Sequence, residues 1–161
     1  MRKILAIDPG TATTGYAILK TADKQREKPR IVTYGCITTR AKTPAAKRLQ
    51  TIAQDLRQLI KEHQPNELAV EKLFFAKNVT TGMAVGQARG VILLAGAEAD
   101  LAITEYTPLQ IKQAITGYGQ ASKQQIQAMI KNIFKLADIP KPDDAADAIA
   151  IGLCHWQTVK L

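Results

Sequence analysis

Cysteine and histidine are scarce in this chain, with two of each in 161 residues. Cys36 and Cys154 stand in apolar surroundings without Cys-x-x-Cys or Cys/His spacing. That spacing excludes a thiolate zinc site and a redox dithiol, and both thiols read as reduced core residues, as a cytoplasmic protein would carry them. Aromatic residues make up only 5% of the chain, so a core of Ile, Leu, Val and Ala is expected. Long apolar runs are missing too. The stretch from Val85 to Ala99 is broken by Gln87, Arg89 and Glu98, which excludes a membrane span. The first apolar run is cut at Asp8, so it is no secretory signal. Acid is in deficit, with Lys+Arg 22 against Asp+Glu 14 and a net charge of +8. Such a balance favours a polyanionic partner through phosphate contacts and counterion release.

What is there suffices for a single domain spanning residues 1–161. Two apolar runs flank the turn Asp8-Pro9-Gly10-Thr11-Ala12-Thr13-Thr14-Gly15, predicting a strand, a tight turn and a returning strand. Thr21 to Lys28 reads as a hairpin loop, and Arg30 to Thr39 as a third strand of an antiparallel meander. Pro44 opens a helix to about Gln64, with Leu49, Ile52, Ala53, Leu56, Leu59 and Ile60 on one face. Glu67 to Glu71 is then a buried strand. Asn78 starts a long helix to about Asp100, in which Gly82, Gly86 and Gly90 share a face. Those glycines invite close packing against either the chain's own sheet or a second copy. Ala102 to Tyr106 is a fifth strand, Thr107-Pro108 starts a short helix through Ile115, and Ser122 caps a helix whose inner face holds Ile126, Met129, Ile130, Ile133 and Phe134. A last helix begins near Asp143, where the helix dipole favours acids and a capping role explains Asp143 and part of Asp144.

The acids carry the chemistry. Asp8 and Glu71 end apolar strands, and ligands gather at the carboxyl ends of strands in sheets with helical crossovers. Each has a plainer reading, Asp8 as a turn residue bonding its own backbone and Glu71 as a solvated neighbour of Lys72. Asp144 and Asp147 lie one turn apart on a helix otherwise made of Ala, Ile and Leu, where paired acids repel unless a cation neutralises them. Four carboxylates without a His or Cys cluster specify Mg²⁺, with Mn²⁺ as a substitute, rather than zinc. Two such ions about 4 Å apart can activate water and stabilise the leaving oxygen of a phosphodiester. Phe74, beside Lys77, can stack on bases or else plug the core. Lys112 and Lys123 flank the Gly117-Tyr118-Gly119 loop and suit phosphate contact.

The order β-β-β-α-β-α-β-α-α, with Asp on the first strand, Glu on the fourth and a D-x-x-D helix at the end, resembles the RNase H-like nuclease fold. That fold is α/β, a mixed five-stranded sheet with its first three strands antiparallel, flanked by helices. The segments Ile7-Asp8-Pro9-Gly10, Thr14-Gly15-Tyr16, Val70-Glu71 through Asn78, Gly86 through Gly90, Gly117 through Lys123 and Asp144 through Ala148 resemble, more closely, the RuvC family of bacterial Holliday-junction resolvases. The resemblance implies a homodimeric, Mg²⁺-dependent endonuclease that nicks two opposing strands of four-way junction DNA and works with the branch-migration complex of RuvA and RuvB. It implies that Asp8, Glu71, Asp144 and Asp147 are catalytic metal ligands, that Phe74, Lys77, Lys112 and Lys123 serve DNA, and that the Gly82, Gly86 and Gly90 face lies at the dimer interface. Ala17 and Asp143 depart from the family pattern, and the chain stops soon after Trp156 without a long basic tail. An actin-like kinase shares the first hairpin but needs a second lobe that this length does not supply. Another RNase H-like nuclease, acting on RNA or hybrid, is the nearer alternative.

Overall fold

The computed structural model describes residues 1–21, 27–73 and 79–159. Three strands, β1 (Arg2–Asp8), β2 (Thr13–Thr21) and β3 (Arg30–Thr38), form the antiparallel meander. Helix α1 (Ala45–His63) crosses over to β4 (Glu67–Glu71), and α2 (Val79–Glu98) to β5 (Ala102–Tyr106). Helices α3 (Pro108–Thr116), α4 (Lys123–Phe134) and α5 (Asp143–Thr158) follow. The five-stranded sheet has the order β3-β2-β1-β4-β5, with β4 parallel to β1 and β5 parallel to β4. This is the mixed sheet that the sequence pattern leads one to expect. No helix among the described residues is long and apolar enough to cross a membrane.

Both faces of the sheet are covered, which is why β1 and β4 are continuously apolar rather than alternating. Ile4, Ala6 and Ala69 face a core shared with α5, while Leu5, Ile7, Leu68 and Val70 face the one shared with α1 and α2. Helix α1 turns Ile52 and Leu56 fully inward and ends at Gln64, whose φ of 49° breaks the helix ahead of Pro65. Capping boxes start the next two helices: Thr107 with Gln110 on α3, and Ser122 with Gln125 on α4. Each such cap stabilises its helix by about 1 kcal/mol. On α4 the inner face is narrower than its spacing suggests, since Ile126 and Ile130 are buried but Met129 is 36% exposed.

On α2, Asn78 lies outside the described residues, and the helix ends at Glu98 with Asp100 in a left-handed turn. Gly90 is exposed, with nothing within 4 Å of where its Cβ would be, and a Cβ on Gly86 would make only ordinary contact with Leu73. That face is therefore not pressed on the chain's own sheet. Gly96 is: a Cβ there would collide with Leu68 and press on Ile103.

A polar network ties α5 to the sheet at the end where β1 and β4 begin. Arg2 donates two hydrogen bonds of 2.6 Å to Glu67, whose Oε2 lies 2.6 Å from His155 Nε2. His155 Nδ1 in turn lies 2.9 Å from the Tyr106 hydroxyl. Burial opposes the Glu67 carboxylate, but Arg2 and His155 outweigh it and hold its pKa below the usual carboxylate value.

Candidate active site

At the opposite end of the sheet, strand register brings the acids together. β1 and β4 run parallel with Ile4 beside Glu67 and Ala6 beside Ala69. Two residues further on, Asp8 and Glu71 fall side by side at the strand ends, on the face that α5 covers. Across the meander Asp8 pairs with Gly15. A Cβ on Gly15 would collide with the Asp144 backbone carbonyl, so the missing side chain lets the first turn of α5 lie directly on β2. Asp144 is thereby delivered next to Asp8, with Asp147 one turn along.

Electrostatics records this convergence. Burial, then the charges of Glu71, Asp147 and Asp144, push the Asp8 carboxyl up to about 8 against the opposing pull of Lys123. Burial and Asp147 also raise Glu71, while Lys112 opposes. Asp147 is raised chiefly by burial, with Lys123 opposing. Asp8 accepts no hydrogen bond from its own turn among the described residues: there the Thr14 hydroxyl bonds the Gly10 carbonyl instead, at 2.6 Å. Among the described residues no three acids are drawn tightly enough to grip an ion as placed. Their chemistry nevertheless fits a hard divalent cation: all four donors are carboxylates, and burial with mutual repulsion raises the proton affinity of Asp8, a repulsion that a bound cation would relieve.

Asp143 is not the helix cap. The N-cap is Pro142, which makes no side-chain cap bond. Asp143 instead lies 3.3 Å from Lys123 and accepts a 3.3 Å bond from Gln127. Lys123 Nζ sits equally 3.3 Å from Asp147, and these acids raise its pKa even though burial opposes its charge. Lys112 and Lys123 line a cleft of about 220 Å³ together with Glu71 and Asp147. Phe74 and Lys77 lie outside the described residues. Cys154 is buried as expected, but Cys36 is only half-buried. From β3 it pairs with Gly15 on β2, and burial, then Asp144 and Asp8, push its thiol up. A thiol kept protonated in this way is a poor ligand.

The family model for crossover junction endodeoxyribonuclease RuvC matches residues 4–155. A crossover junction endodeoxyribonuclease RuvC of Halothermothrix orenii is 52% identical over 158 residues, covering 98% of this chain and 94% of the relative. The solved Thermus thermophilus RuvC structure superposes with a TM-score of 0.88 at 32% identity, over 96% of this chain and 93% of that one. A second structure, T. thermophilus RuvC in complex with Holliday junction substrate, superposes with a TM-score of 0.89 at 31% identity, with the same coverage. With the sheet, the helices and nearly the whole length matched, the chain belongs to the RuvC family of crossover junction endodeoxyribonucleases.

Proposed function

We propose that this single-domain chain resolves four-way DNA junctions by nicking two opposing strands, with Asp8, Glu71, Asp144 and Asp147 holding two Mg²⁺ ions, or Mn²⁺ in their place. The observation that carries this reading is the meeting of those acids from β1, β4 and α5 at one sheet end, where Asp8 alone is pushed up to about 8. When bound, a pair of such ions generates a nucleophile from water and neutralises charge on the leaving oxygen. The chain does the rest. The strand ladder fixes the backbone of Asp8 and Glu71, and a helix seated on Gly15 fixes that of Asp144 and Asp147, so that only the side chains have to close on the ions. Lys112, close enough to Glu71 to oppose its upward shift, and Lys123, paired with Asp147 and Asp143, border the acids with positive charge suited to the phosphates of the cut strand.

Phe74 and Lys77 follow the acid-bearing strand β4 directly and are assigned to bases and phosphate at the crossover. A homodimer joined through α2 accounts for the exposed Val79, Met83 and Leu94, at 70%, 61% and 54% exposure, and for the open side of Gly90. Two sites related by a two-fold axis match a junction with two-fold symmetry. The RuvA and RuvB branch-migration complex is the expected partner, in the cytoplasm.

Labelled four-way and linear duplex DNA, incubated with the protein with and without Mg²⁺, test the reading. Paired nicks on the junction in Mg²⁺ alone are expected. Equal cutting of linear duplex, or nicking in excess chelator, would contradict it.

A further inference from the structure

Between Glu27 and Asp55 the chain has no acid, yet it carries Lys28, Arg30, Arg40, Lys42, Lys47 and Arg48. Five of these cations are exposed and Arg48 alone is half-buried. Its Nε donates a 2.8 Å bond to the Thr39 hydroxyl, which donates a 2.5 Å bond to the Thr11 carbonyl. The Thr39 backbone N–H bonds the Ala12 carbonyl at 3.0 Å. The guanidinium is thus held against the turn by which the chain leaves Asp8. Arg2, Arg57 and Arg89 are matched with Glu67, Glu98 and Glu105. Arg48 is matched with no carboxylate among the described residues.

A guanidinium anchored through Nε keeps both terminal amino groups for an anion that presents two oxygens side by side, as the non-bridging oxygens of a phosphodiester do. Arg48 lines a cleft of about 550 Å³ whose other walls are the Gly10 to Thr13 turn, the first two turns of α2 and Asp144. The hydroxyl of Thr11, hidden from solvent and without a partner among the described residues, lies on the same turn. In a separate cleft, Lys112 and Lys123 stand with Glu71 and Asp147. Two clefts thus border the acids, one at Asp144 and the other at Glu71 and Asp147, each lined by at least one cation. A strand laid across them would meet fixed positive charge both before and after the phosphate being cut.

We propose that Arg48 binds a phosphodiester of the cut strand neighbouring the scissile one, on the side of the acids away from Lys112 and Lys123. The proposal rests on the endonuclease reading above and adds a substrate contact to it. Arg40, Lys42 and Lys47, on the same connection and helix start, extend the positive rim outward for the duplex arm.

The test replaces each phosphate flanking the cut, one at a time, with a neutral methylphosphonate and measures single-turnover nicking at saturating protein. Arg48→Ala is expected to slow nicking by about ten- to a hundredfold, the loss typical of a charged hydrogen bond. Arg48→Lys restores part of the rate, because a point charge cannot reproduce the fork. One methylphosphonate slows the wild type but slows Arg48→Ala no further, a signature that a merely structural role for Arg48 would not give. Wild-type rates in Arg48→Ala, or losses that multiply with every methylphosphonate, overturn the assignment. Should Arg48→Ala not fold, the same scan on Arg48→Lys decides between these outcomes. A wild type that nicks no junction refutes the endonuclease reading itself, whereas intact wild-type nicking with an indifferent Arg48 variant refutes only Arg48's part.

Discussion

A carboxyl held up to about 8 is ionised in the unfolded chain and protonated in the folded one over most of the physiological range, and Asp8 is in that position. The folded chain therefore binds a proton that the unfolded chain has released, and stability depends on it. That contribution is complete below the ordinary aspartate value of 3.8, declines as pH rises, and is gone above about 8. In chelator, the melting temperature of the wild type should fall between pH 5 and 8.5 more steeply than that of Asp8→Asn. At pH 8 the variant should melt higher, by about 2–4 °C for each kcal/mol of relieved repulsion. Mg²⁺ should reverse the order by stabilising only the wild type. Scanning fluorimetry showing parallel pH profiles would contradict this account of Asp8. The pairing of acids was legible in the sequence because a carboxylate at the end of an apolar run has few uses. The dipole argument for Asp143 holds, since it lies in the first turn of α5, but the cap position itself falls to Pro142, and nothing local to residues 142–147 announces that Lys123, from another helix, also reaches that carboxylate.

Among the elements, α5 matters most to the site, because it carries half of the acids and is fastened at both ends. Its first turn lies on Gly15, and its last turns are held by the Arg2, Glu67 and His155 network. Gly15→Ala would force the Asp144 carbonyl away, at a cost of about 1–3 kcal/mol for overpacking. It should slow nicking at least about tenfold, since displacements near 1 Å in a catalytic constellation cost more than their share of stability. Parallel melting and single-turnover measurements check this, and an active, fully stable Gly15→Ala would contradict it. Meander, crossovers and caps could all be read from periodicity and turn residues, because those signals are local. The packing of α2 could not. Gly82, Gly86 and Gly90 form the visible stripe, yet Gly96 is the glycine that meets Leu68 and Ile103, and only the docking of the helix decides which face turns inward. Cys36 and Arg48 were missed for a similar reason: register with Gly15 and the path of the chain after β3 bring them to the site from a distance.

For the molecule as a whole, the proposed dimer gives a use to the apolar side of α2 left open to solvent, by bringing two acid-centred sites to one substrate. Sedimentation should give a dimer for the wild type at micromolar concentration, and Leu94→Glu should shift it to monomer by placing a charge in the interface. A monomeric wild type would contradict the dimer. The account rests above all on the four carboxylates acting as one ion-holding set. The most direct measurement takes Asp8→Asn, Glu71→Gln, Asp144→Asn and Asp147→Asn one by one, with junction affinity and Mg²⁺-dependent nicking determined on the same preparations. The expected result is that every variant binds the junction about as well as wild type while nicking falls more than about a hundredfold, beyond the usual loss for residues that merely support metal ligands. Any one of the four cutting the junction at the wild-type rate in Mg²⁺ would contradict it.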